Sequence, residues 1–107
     1  MTTETVGWVL INAESIDRWV ILCLPHRETL RLDDPCELVD GRDLGPDEDV
    51  PARCVRLGLT STLEVDKIKM VLGNLAQQVA SADIGLKLQA LNYFRRNDAY
   101  INVMANH

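Results

Sequence analysis

At Thr60 the hydrophobic pattern of this chain changes its period, and that change limits the folds open to it. Before it, apolar side chains come in short runs rich in β-branched residues. After it, Val65, Ile68, Val71, Leu72, Leu75 and Val79 recur every three or four residues, the spacing of one helical face. Strands gathered in one half and helices in the other predict an α+β fold and argue against an alternating, doubly wound one.

In the first half, residues 5–13 (TVGWVLINA) and 19–24 (WVILCL) read as buried strands joined in an antiparallel hairpin, with Trp8 and Trp19 near its core. Pro25 ends the second run because it donates nothing to a ladder. Leu30 and Leu32 alternate with polar neighbours as a short strand, and Cys36 to Val39 makes another. From residue 53 to 59, Val55, Leu57 and Leu59 alternate with Cys54, Arg56 and Gly58. Four to five short strands over residues 5–60 predict an antiparallel sheet or a partly closed small barrel.

In the second half, Ser61 and Glu64 fit a capping box opening the first helix. Gly73, Ala76 and Ala80 along it imply a close helix neighbour. Ser81 or Asp83 caps a second helix carrying Ile84, Leu88, Leu91 and Phe94, so a helical hairpin over residues 61–96 packs on the sheet. The tail, residues 97–107, fits strand and helix equally. At 107 residues, 47% hydrophobic and 25% charged, the chain reads as one domain over 1–107.

The N-terminal apolar run is short and opens with Glu4, unlike a signal peptide, and no run approaches the ~20 residues needed to span a bilayer. Three cysteines, an odd number, do not close a disulfide framework. A soluble, cytoplasmic protein without membrane contact is expected.

Residues 33–49, where eight carboxylates face Arg42 alone, carry −7, and the rest of the chain carries +2, for a net charge of −5. The stretch DGRDLGPDEDVP lacks the alternating ligands, central glycine and closing glutamate of a calcium loop. It reads as a surface loop whose Asp43, Asp47, Glu48 and Asp49 attract a basic partner.

Cys23 and His26 have the spacing of half a zinc knuckle, but Cys36 and Cys54, the remaining candidates, do not form a second tight pair. A Cys23–His26 nucleophilic dyad is awkward on an extended strand, where residues three apart face opposite sides. There is no phosphate-binding glycine loop, GxSxG elbow or HExxH motif. No cofactor and no metal are expected, and a small thiol or metal-dependent enzyme is the third reading.

The second reading is a nucleic-acid-binding regulator. The segment LAQQVASADIGLKLQALNYFRR, with Lys87, Arg95 and Arg96, loosely resembles a helix-turn-helix. Its turn lacks glycine, Ile84 and Leu86 look like core, and residues 64–107 hold five basic side chains against four acidic. Arg95 and Arg96 also suit the C-terminal end of their own helix. The first reading is a non-catalytic protein-protein interaction or accessory module. Its C-terminal apolar surface, Leu86, Ala90, Tyr93, Tyr100, Ile101, Val103 and Met104, exceeds what one small core needs, so a homo-oligomer is expected.

Overall fold

The computed structural model describes residues 2–46 and 50–103. Strands β1 (Thr2–Thr5), β2 (Val20–Leu24), β3 (Pro35–Asp40) and β4 (Ser61–Glu64) form one antiparallel sheet in the order β1-β3-β2-β4. The sheet is open, with β1 and β4 as its edges. Helices α1 (Val6–Asn12), α2 (Ala52–Arg56), α3 (Val65–Gln78) and α4 (Ile84–Asn97) complete an α+β architecture in which α3 and α4 follow the sheet and pack on it.

Strand side chains alternate, so the sheet has two covered faces. On one, Leu22, Leu24 and Cys36 meet Leu10 of α1, Ile68 of α3 and Leu91 of α4 in the main core. On the other, Cys23 and Val39 are covered by Leu44, Val50, Cys54 and Leu59 from the β3–β4 connection. Covering both faces explains why β2 reads as continuously apolar.

Residues 5–13 depart from the expected strand. Thr5 accepts the Trp8 N–H at 3.1 Å and caps α1. Val6, Val9, Leu10 and Ala13 then fall at helical spacing and are buried, each side chain contributing on the order of 1–3 kcal/mol. The first two N–H groups of α1, on Val6 and Gly7, donate to the carbonyls of Asp34 and Leu32, each at 2.9 Å. Such early N–H groups have no partner inside a helix. The approach is close enough that a Cβ on Gly7 would stand 3.2 Å from the Leu32 oxygen. Trp8 and Trp19, expected near the core, are 38% and 47% exposed.

Residues 53–59 are the second correction. Pro51 stands at the N-cap of α2, and Gly58, at φ 74°, ends it in the left-handed region. The Gly58 N–H donates to Val55 O at 3.1 Å and the Leu59 N–H to Cys54 O at 2.8 Å, a Schellman closure. Leu30 and Leu32 form no strand either. Their loop is held by side chains and by α1, with Leu30 buried against α4.

The helix after Thr60 starts at Val65, because Ser61 and Glu64 belong to β4. Its face is the expected one, with Val65, Ile68, Val71 and Leu75 buried. Gly73, by contrast, has nothing within 4 Å of the point a Cβ would occupy, so α4 packs on a different face of α3. Asp83 is the cap of α4, accepting from Leu86 N at 2.8 Å. Residues 98–103 are neither helix nor strand; Gln78 donates to Ile101 O at 2.8 Å and accepts from Val103 N at 2.9 Å, fastening the segment to α3.

Candidate functional site

One row of residues crosses the whole sheet. Thr3 of β1 stands opposite Glu37 of β3, Glu37 opposite Cys23 of β2, and Cys23 opposite Thr62 of β4. All four therefore share the face that α2 covers. Glu37 is fully buried. Its Oε1 accepts from the Thr3 hydroxyl and lies 3.4 Å from Arg53 Nη2, while its Oε2 has no hydrogen-bond partner among the described residues. Burying a carboxylate costs several kcal/mol unless it is well paired, so α2 is held down by an interaction that is costly to disturb.

The thiols in this region are suited to packing. Burial, reinforced by the neighbouring Cys54 and then Glu37, pushes the Cys23 thiol up to about 12. Burial, with the nearby Glu4 and Glu37 carboxylates, does the same to Cys36, also to about 12. Both are protonated at neutral pH, the unreactive form of cysteine. The four residues weighed as zinc ligands separate: Cys23 and Cys54 meet under α2, Cys36 lies in the core on the other face, and His26 is exposed. Among the described residues no group of three His, Cys, Asp or Glu is placed to hold a metal ion.

The surface beside this row is concave along β4. Thr62, Leu63 and Glu64 line a cleft with Ile21, Leu44 and Val50. Glu64 and Ile21 continue into a second cleft with Arg18, Trp19 and Asp66. Trp19 carries two guanidinium groups over its ring, Arg18 at 5.0 Å and Arg42 at 5.8 Å from the centroid. Arg42 is itself held by Asp40 at 2.7 Å and stands 3.9 Å from Asp17. Asp40 is drawn down to about 2 by its hydrogen bonds with Arg42.

At the Ser61 end, a third cleft is lined by His26, Arg27, Glu28, Ser61, Arg95 and Arg96. The three cations of the nucleic-acid reading divide accordingly. Lys87 lines a groove with Ile11 of α1 and with Val79, just past the end of α3, apart from the cleft that holds Arg95 and Arg96.

Of the acidic residues expected to bind a partner, Asp43 is exposed in a short 3-10 turn after β3, next to Leu44. Asp47, Glu48 and Asp49 lie outside the described residues, as does Met104. Of the residues expected at an oligomer interface, Ala90 and Ile101 are buried with Val71 and Leu75 inside the chain's own core. They serve the α3–α4 contact. Leu86, Tyr93 and Val103 are partly buried around that core, and Tyr100, stacked on Phe94 with ring centroids 5.9 Å apart, is exposed.

Glu37 and Arg53 were missed as a pair. A signal for Glu37 exists: it shares strand parity with Val39 and so points at a covered face. Arg53 had none, because its helix reads as alternating strand.

These features define a small α+β domain with an open sheet, a polar row whose central Glu37 and Cys23 are buried and, among the described residues, an unpaired edge strand. The chain belongs to the family described as Domain of unknown function (DUF7716), whose model matches residues 3–103. No curated protein and no solved structure matches it.

Proposed function

We propose that the protein is a non-catalytic interaction module that takes an extended, basic segment of a partner protein along the free edge of β4. The observation that carries this reading is the unpaired edge of β4 lying between exposed Trp19 and a shelf of Ile21, Leu44, Val50 and Leu63. An edge strand presents a row of unused N–H and C=O groups, and an extended peptide satisfies them by adding a strand. Four residues of β4 at ~3.3 Å each suit a segment of about four to six residues. A tryptophan flanked by arginines is the type of side-chain group that dominates binding energy at interfaces.

Charge sets the character of the segment. Glu64 and Asp66 line the two clefts with Arg18 and Lys67; beyond Trp19, Arg42 is shared by Asp40 and Asp17, which leaves one carboxylate in excess, and Asp43 stands next to Leu44. By sequence, Asp47, Glu48 and Asp49 belong to the same connection. Self-association through Leu86, Tyr93, Tyr100 and Val103 is the second use of apolar surface within the reading. A cytoplasmic setting also belongs to it, supported by three buried free thiols.

Panning a random peptide library on the immobilised protein tests the proposal. Expected are lysine- or arginine-containing, β-prone peptides whose affinity falls about tenfold in Trp19→Ala and in Glu64→Lys with Asp66→Lys. Selected peptides that bind both variants as they bind the wild type contradict it.

A further inference from the structure

We infer that the cleft formed by His26, Arg27, Glu28, Ser61, Arg95 and Arg96 binds the phosphate group of a small phosphate monoester. This inference does not rest on the partner segment proposed for β4, although Ser61 borders both surfaces. It starts from how firmly the cleft is built. Buried Asn92 of α4 pairs with both backbone groups of Leu30, and one helical turn later Arg95 donates to the carbonyls of Arg27 at 3.2 Å and Glu28 at 3.5 Å. Asp34, also buried, accepts from the Arg31 N–H at 2.7 Å and pairs with Arg27 Nη1 at 2.9 Å. Loop 25–34 and the end of α4 are thus fastened to each other where they line the cleft.

The charges along the cleft are unevenly spent. Arg27 is neutralised by Asp34. Arg95 is partly stripped of water, which lowers its pKa, and its contacts are carbonyl oxygens rather than a carboxylate. Arg96 has no ion pair among the described residues, and His26 has none either. Glu28 offsets one of the two guanidinium charges of Arg95 and Arg96, leaving a positive surplus in a concave site. Arg95, Arg96, Ser61 and His26 line the same cleft, so guanidinium, hydroxyl and imidazole groups border the space a tetrahedral dianion would fill, and arginine binds such groups through several N–H donors. A cleft volume of about 450 Å³ suits a small organic molecule.

The test is a nitrogen-15 NMR titration of the full chain with phenyl phosphate at low ionic strength, with inorganic phosphate and a single-stranded oligodeoxythymidine as separate arms. Expected is saturation below about 5 mM phenyl phosphate, with shifts confined to residues 26–28, 61 and 95–96, and weaker binding of inorganic phosphate at the same residues. Arg96→Ala, at an exposed position, keeps the fold and weakens binding about tenfold, while Lys87→Ala leaves it unchanged. Absence of saturation, shifts spread over other surfaces, or wild-type binding by Arg96→Ala overturns the inference. Tighter binding of the oligonucleotide than of the monoester, with a steep salt dependence, overturns the assignment to a small ligand.

Discussion

Asn92 and Leu30 pair across 62 positions of chain: the Leu30 N–H donates to the Asn92 carboxamide oxygen at 2.8 Å, and the Asn92 amide donates to Leu30 O at 3.0 Å. All four groups are buried, so a side chain here takes the place of a ladder partner. Asn92→Leu leaves one buried donor and one buried acceptor without partners, at a cost of about 3 kcal/mol. Urea denaturation is expected to show a lower midpoint with an unchanged m-value.

The Glu37 carboxylate makes a sharper test, because removing its partner and removing the charge have opposite outcomes. Thr3→Val strips the donor from a buried oxygen and is expected to cost about 2 kcal/mol. Adding Glu37→Leu to that variant removes the buried charge altogether and recovers most of the loss. If the double variant is less stable than Thr3→Val alone, the Glu37 interaction with Arg53 is worth more than its desolvation.

The buried thiols contribute to the loss of stability at alkaline pH. Cys23 and Cys36 rise from an ordinary 9.0 to about 12 on folding, burial being the largest cause in each. The native state therefore holds these protons more tightly than the unfolded chain. The resulting stabilisation is complete below pH 9.0 and is lost as pH rises towards about 12. Equilibrium unfolding across this window should show stability falling with pH. Cys23→Ala with Cys36→Ala starts from a lower stability and declines less steeply. Iodoacetamide at pH 7 should leave both thiols unmodified until denaturant is added.

Gly58 isolates a backbone effect, since nothing lies within 4 Å of a Cβ there and its φ is 74°. Gly58→Ala is expected to cost about 1 kcal/mol through conformation alone. Gly73→Ala, on the exposed face of α3, should stabilise by about as much.

What could be read in the sequence was whatever depended on one dominant period. The face of α3, a helix opening just after Ser81 or Asp83 and the strands at 20–24 and 36–39 were legible for that reason, and the structure chooses Asp83 as the cap. Residues 6–13 satisfy a helical stripe and a buried strand at once, and only the Thr5 cap and the partners supplied by Asp34 and Leu32 decide between them. At 52–59 an alternating pattern concealed a helix marked by Pro51 and Gly58. The polar row was hidden because its members come from four strands whose register only the fold creates. The expected C-terminal interface was partly consumed by the chain itself, with Ala90 and Ile101 closing the core against α3.

The edge of β4 is where the functional reading stands or falls, and the direct measurement is intermolecular NOE mapping of a library-selected basic peptide on the isotope-labelled protein. Expected are backbone contacts between the peptide and Ser61–Glu64, slowed hydrogen exchange of the β4 amides that point away from β2, and shifts at the Trp19 indole. Contacts confined to α1 and α3, or to Tyr100 and the segment after α4, with β4 amides exchanging as in the free protein, would contradict it.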